Sequence, residues 1–481
     1  MLIRHAGIYA LARAMPGLVS LMALSIYTRW LTPHEYGLYT LVLASLGVWN
    51  AIAFYWLRVS AIRHLPVDED RRPAFLGALY VSYLCMAIVS LLIGGVALAA
   101  IHGEGLRTLI LAGVFLLMCQ TWLELKLDLL VAALEPGKYA VITLARAVLA
   151  ACIGGWLAYA GAGAEGVIVG LAVGYLLPAL AIRMGKWRAA PLSRPDWHAV
   201  RTILHFGLPL AGVFAFGVFT VWSDRILLGS IVGTQAVGQY AAASDLALPT
   251  ITALMMTVNL SALPLAVRAY QTVGETAAAD QLREHGVVLV ALALPATVGL
   301  AVLAFQVSSL VLGAQFHASA RYLIPLIAVG AFLSGMKAFY FDLAFQLGSA
   351  TRQQLRVSAV AAVVGVVLNL LWIPRFGAMG SAYAMVVTFA LACLLSAIVG
   401  RRAFRVPIPT VDWAKIAGAT FMMAIALSLF PKSATGFLDV GLRVAWGFAA
   451  YLVALVLFDV GQSRRYLAAA ALALKTRWRR S

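Results

Sequence analysis

The sequence predicts an all-α, polytopic membrane protein of about 14 transmembrane helices, built as two six-helix lobes related by pseudo-two-fold symmetry plus two extra helices. Three observations carry this. Apolar residues make up 63% of the 481 and charged residues 11%, under half the roughly 25% charge of a soluble domain. Apolar stretches of helix length recur along the whole chain. Short segments of the first half return in the second at an offset of about two hundred residues.

Reading stretches bounded by charge, Gly or Pro places spans near 6–28, 38–61, 74–101, 108–133, 139–160, 165–183, 206–228, 239–262, 287–312, 322–347, 355–373, 378–400, 414–430 and 441–459. The first is expected to stay in the membrane rather than be cleaved, because Arg13 interrupts its apolar run and no small-residue cleavage site follows. The second ends near Arg58, the fifth carries Arg146 and the sixth opens on a Gly-rich stretch. The longest polar connections, 184–205 and 263–286, are too short for a folded catalytic domain. Cys85, Cys119, Cys152 and Cys393 all sit inside apolar runs without C-x-x-C spacing, so they read as core thiols rather than a disulfide framework or a zinc site.

The net charge of +17 is a matter of sidedness, not of nucleic acid. Of 36 Lys and Arg, 24 fall in segments on the side of the N-terminus, 6 on the other side and 6 within spans. By the positive-inside rule both termini are cytoplasmic. The tail Arg464 to Ser481 alternates Leu467, Leu472, Leu474 and Trp478 with Arg and Lys, as an interfacial helix on anionic lipid does.

Leu31 to Tyr39, following the first span, matches Val232 to Tyr240, following the seventh, at an offset of 201. Gly163-Ala164-Glu165-Gly166 matches Gly377-Ala378-Met379-Gly380 at an offset of 214. Echoes six spans apart imply parallel repeats about an axis along the membrane normal. The expected organisation is a lobe over 1–190, a second over 191–405, and spans thirteen and fourteen with the basic tail over 406–481. Pro33 and Tyr36-Gly37 are expected to form a turn at the outer interface, with Gly37 free to take positive φ.

Phe206-Gly207-Leu208-Pro209-Leu210, Ser223-Asp224-Arg225-Ile226-Leu227-Leu228-Gly229, Val237-Gly238-Gln239-Tyr240-Ala241-Ala242-Ala243, and Leu368-Asn369 through Pro374-Arg375-Phe376-Gly377 to Ala382 occur in order at span ends. On these motifs the chain resembles the polysaccharide transporters of the multidrug/oligosaccharidyl-lipid/polysaccharide (MOP) superfamily, which include Wzx-type O-antigen flippases. The resemblance implies translocation of undecaprenyl-pyrophosphate-linked oligosaccharide across the bacterial inner membrane by alternating access, for O-antigen, capsule or exopolysaccharide. Lipid-linked oligosaccharide would be the partner, with other glycan-assembly proteins as candidate partners, and no cofactor is implied. Coupling to a proton or sodium gradient stays open.

Charges at span depth are costly, roughly 2.5 to 3.5 kcal/mol each on insertion scales, and so tend to face a partner or a hydrated cavity. Arg13, Arg146 and Lys337, with Arg58 at the inner mouth, are expected to line a cavity between the lobes and attract a pyrophosphate, since guanidinium binds phosphate oxygens bidentately. The competing reading is internal salt bridges. Glu124 and Asp128, four apart, share a helix face while Lys126 points elsewhere. Asp224 beside Arg225 reads as a charge pair near the outer surface; Asp245 and Asp342 are candidates for ion coupling or for partnering a cavity cation. Trp49, Tyr55, Trp56, Trp222, Tyr340 and Phe341 suit either sugar stacking or helix packing.

No Walker, zinc or Ser/His/Asp arrangement occurs, and the acidic run Asp68-Glu69-Asp70 reads as a solvated loop, so an enzyme of glycan assembly is disfavoured. A peptidoglycan-precursor flippase and an ion-coupled multidrug exporter remain as alternatives. The buried cations weigh against an exporter of cationic drugs.

Overall fold

The computed structural model describes residues 2–65, 72–100, 103–182, 197–430 and 436–460, with the side chains of 2–14, 208–210, 212–213, 215–216, 220 and 261 excepted. The Asp68-Glu69-Asp70 loop and the basic tail lie outside the described residues. Every regular element among the described residues is helical. They run α1 (Leu2–Trp30), α2 (Pro33–Ala53), α3 (Tyr55–His64), α4 (Arg72–Ala100), α5 (Glu104–Ala132), α6 (Pro136–Tyr159), α7 (Gly163–Ala181), α8 (Trp197–Ile231) and α9 (Thr234–Thr272). There follow α10 (Glu275–Val302), α11 (Ala304–Val311), α12 (His317–Met336), α13 (Leu343–Leu347), α14 (Thr351–Phe376), α15 (Ala378–Gly400), α16 (Thr410–Ser428) and α17 (Phe437–Leu457).

Twelve helical runs among the described residues are long and apolar enough to cross a membrane. With α1 and α8, of 29 and 35 residues, at the sites of the predicted first and seventh spans, the fourteen-helix count is recovered. Two expectations change. The polar connection at 263–286 is mostly helix, since α9 continues to Thr272 and α10 starts at Glu275, around Gly274 with φ 117°. The second span is broken: Phe54, at φ −120° and ψ −22°, ends α2, and α3 restarts at Tyr55.

The chain packs as two compact units, Met1–Ala242 with Asn369–Ala378, and Ala243–Leu368 with Met379–Ser481. In the first, small residues set the helix spacing. The Tyr27 hydroxyl of α1 donates to the Ala150 carbonyl of α6 at 2.9 Å. A Cβ on Gly170 of α7 would lie 2.3 Å from the Gly154 backbone of α6, and one on Gly174 would lie 2.7 Å from the Ala150 side chain. Ala150/Gly154 against Gly170/Gly174 is a small-xxx-small interface, in which dispersion between close backbones replaces the hydrophobic effect that lipid cannot supply.

The echoed segments meet each other. Thr32 caps α2 by a capping box, its hydroxyl accepting from the Glu35 amide at 3.3 Å while the Glu35 carboxylate accepts from the Thr32 amide at 2.8 Å. Pro33 is therefore the first helical residue, and Gly37 is helical rather than part of a turn; the positive φ belongs to Gly233, at 114°. Gly37 is needed for approach instead. A Cβ there would sit 1.8 Å from the Thr234 carbonyl oxygen, and one on Gly238 would sit 1.8 Å from that of Pro33. The contact is reciprocal between equivalent positions of the repeat.

In the second unit, Tyr340 is fully buried among Met255, Leu289, Ala293 and Ile416. Its hydroxyl donates to the Pro407 carbonyl, and the Trp413 indole donates to the Gly286 carbonyl at 3.2 Å. Tyr451 of α17 donates to Ala291 of α10 at 2.7 Å, fixing the last helix. Only Cys119 and Cys393 are buried; Cys85 and Cys152 lie on exposed faces, because an apolar run does not distinguish a lipid-facing side from a packed one.

Candidate functional site

Two polar networks stand inside the helical units. In the first unit, the break at Phe54 places Arg58 in the first turn of α3, facing α5. Arg58 Nε donates to Asp128 Oδ2 at 2.5 Å, and its Nη1 donates to Glu124 Oε2. Both carboxylates thus reach one guanidinium, as residues four apart on a helix can. Glu124 also accepts from Asn50 Nδ2 of α2 and from Gln120 Nε2 of α5, each at 2.9 Å. Arg58, Glu124 and Asp128 keep 23%, 19% and 15% of their side chains exposed, so the cluster is shielded but reachable.

Arg146 of α6 takes a neutral partner. Its Nη1 donates to the Tyr175 hydroxyl of α7 at 2.9 Å, and its guanidinium carbon lies 4.8 Å from the centre of that ring. Lys126 points away, donating to the Ala179 carbonyl at 2.7 Å.

In the second unit the network is organised by a π-helical segment, Lys337–Phe341, between α12 and α13. On an α-helix residues five apart lie about 140° apart around the axis. The wider turn, closed by the Asp342 amide donating to the Lys337 carbonyl at 2.9 Å, brings them to one side. Lys337 Nζ then donates to Asp342 Oδ2 at 2.7 Å. Asp342 further accepts from Ser396 of α15 at 2.8 Å and from Gln354 of α14 at 3.2 Å, and is 3% exposed.

Of the four expected cavity cations, then, Arg58 and Lys337 are each neutralised by carboxylates of their own unit, and Arg146 by none among the described residues. Arg13 lies in α1, with its side chain outside the described residues. Asp342 partners Lys337. Asp224 accepts from the Tyr240 hydroxyl at 2.5 Å and from the Arg225 backbone amide at 2.7 Å, while Arg225 lies over the Trp222 ring at 4.7 Å. Asp245 is half-buried on α9. The aromatic candidates are engaged in packing: Tyr55 stacks on Phe214, and the Trp49, Trp56 and Tyr340 polar atoms are hydrogen-bonded within the protein.

Residues 26–321 match the sequence profile of the family described as polysaccharide biosynthesis protein, which is more than half of the chain. The chain belongs to the polysaccharide biosynthesis protein family. This polysaccharide biosynthesis protein is 22% identical over 385 residues to the probable low-salt glycan biosynthesis flippase Agl15 of Haloferax volcanii, the match covering 78% of each chain. Its fold is similar to that of the lipid II flippase MurJ in an inward closed conformation, at a TM-score of 0.79 and 11% identity over 94% of this chain and 98% of the other. An inward-facing multidrug resistance MATE family transporter of the MOP superfamily gives 0.59 at 14% identity, over 82% and 97%. The polysaccharide biosynthesis protein therefore has the MOP transporter fold.

Sequence reasoning missed Asn50, Gln120, Tyr175, Gln354 and Ser396 as members of these networks, and also Ser358, whose hydroxyl accepts from Lys337 Nζ at 3.4 Å. All but Gln354, which lies just before the eleventh predicted span, are polar residues inside an otherwise apolar span, a signal visible in the sequence, but which of them face a charge depends on helix rotation.

Proposed function

We propose that the protein is a flippase that moves undecaprenyl-pyrophosphate-linked oligosaccharide repeat units from the cytoplasmic to the periplasmic leaflet of a bacterial inner membrane by alternating access, supplying surface polysaccharide synthesis. The observation that carries this reading is a polysaccharide biosynthesis family sequence on a lipid-flippase-like fold. The shielded charges suit it. Arg146, held by a phenol, can exchange that neutral hydrogen bond for a phosphate oxygen without stranding a carboxylate, whereas the charge of Arg58 is already balanced by Glu124 and Asp128. The role is transport and not glycosyl transfer, with the lipid tail left in the bilayer while the sugar head crosses.

A peptidoglycan-precursor flippase is the second reading, favoured by the fold alone, because that substrate carries the same pyrophosphate. Removal of the gene from its host, followed by analysis of surface glycan and of lipid-linked intermediates, separates the two. The expected result is lost surface glycan with lipid-linked repeat units held in the cytoplasmic leaflet. Unchanged surface glycan overturns the proposal, and accumulation of peptidoglycan precursor with lysis supports the second reading.

A further inference from the structure

Away from both networks, the end of α3 and the first turns of α8 form an open cavity of about 480 Å³ lined by Arg63, His64, His198, Arg201, Thr202, His205 and Phe206. It is built on a tight helix crossing. A Cβ on Gly207 would lie 2.4 Å from the Trp56 carbonyl oxygen, and the Ser60 hydroxyl donates to the Ile203 carbonyl at 3.0 Å, so α3 and α8 are locked together beside the cavity. Phe206 then orients two of the lining side chains. The Arg63 guanidinium lies 5.0 Å from its ring centre, and the His64 ring meets it edge-on at 4.9 Å.

The lining offers two guanidinium groups and three imidazoles, the Thr202 hydroxyl being donated to the His198 carbonyl at 3.0 Å, and no carboxylate is among the described residues that line it. His64 Nε2 is shielded from solvent and has no hydrogen-bond partner among the described residues, a state a buried polar atom rarely keeps. The ligand class this selects is a polyanion rich in phosphate oxygens. Ile62, Leu204 and Trp197, next in sequence to the lining residues Arg63, His205 and His198, are 44%, 40% and 72% exposed, and Trp favours the headgroup level of a bilayer, which suits an amphiphilic anion. The Lys and Arg bias assigns this end of the helices to the cytoplasmic side.

We infer that this pocket is a docking site for the diphosphate headgroup of a polyisoprenoid lipid, met at the cytoplasmic surface before transport. The identity of the lipid rests on the flippase reading; the anion chemistry rests on the pocket. A phosphodiester lipid carries a single negative charge and leaves most of these donors unused, which favours the diphosphate.

The test uses the full chain in phosphatidylcholine nanodiscs doped with either polyprenyl diphosphate or phosphatidylglycerol at equal charge, with retained lipid counted by native mass spectrometry. R63Q/R201Q should retain polyprenyl diphosphate at least about tenfold more weakly than the unaltered chain, given two lost charge-assisted contacts. R63K/R201K should keep most of it. T202E, which sets a carboxylate in the pocket, should lose retention to a similar extent and serves if the double Gln variant does not fold. Equal retention by the unaltered chain and both R63Q/R201Q and T202E overturns the proposal. So does equal retention of phosphatidylglycerol, which would make the pocket a general phospholipid contact. Nanodisc binding requires no transport, so this test can succeed where the gene-removal experiment fails, and the reverse.

Discussion

Lys337 and Asp342 are 13% and 5% exposed at their side chains, and removing one member of such a pair strands the other in a low-dielectric setting. D342N should therefore lower stability by about 3 to 5 kcal/mol, read as a drop in thermal unfolding temperature in detergent. K337M/D342L, which removes both charges at similar volume, should recover most of that loss. Unequal cost is also expected among the arginines. R58Q leaves Glu124 and Asp128 facing each other without a cation and should cost about 3 kcal/mol or more. R146Q gives up one hydrogen bond to a phenol and a ring contact, about 1 to 2 kcal/mol, and should reduce transport more than it reduces the unfolding temperature. The sequence marks these four charges by depth alone. It does not say that Arg58 answers to two carboxylates and Arg146 to Tyr175, because a partner on another helix depends on how each helix is rotated.

At the scale of the helix, the α6 and α7 contact rests on residues with almost no side chain. G170V would push a branched side chain into the Gly154 backbone, where neither helix can yield, and should abolish the folded, monodisperse protein. G95V, on α4 where a Cβ meets nothing within 4 Å, is the matched control and should purify normally; size-exclusion chromatography of the two decides. Hydropathy placed the spans because burial in lipid is a property of composition, and the fourteen runs correspond to helices of the structure. It was blind to the break at Phe54 and to the π segment at Lys337–Phe341, both of which are changes in hydrogen-bond register inside stretches that stay apolar. Those two irregularities position Arg58 and Lys337, so the least legible parts of the fold are the ones that set the charged networks.

For the whole molecule, the charge bias makes a topological prediction. A fluorescent protein inserted after Gly274 should fluoresce, and alkaline phosphatase inserted after Gly377 should be active, since the two turns are assigned to opposite sides. The reverse pattern would invert the orientation and with it the direction of the proposed transport. The reciprocal fit of Gly37 on Thr234 and Gly238 on Pro33 carries its own consequence. One requirement in space is recorded at two places in the chain, so neither glycine can be relieved by change at the other. Randomising both codons together should return Gly at each with equal stringency, while Pro33 and Thr234, which meet the glycines through backbone carbonyls, can differ from each other as they do here.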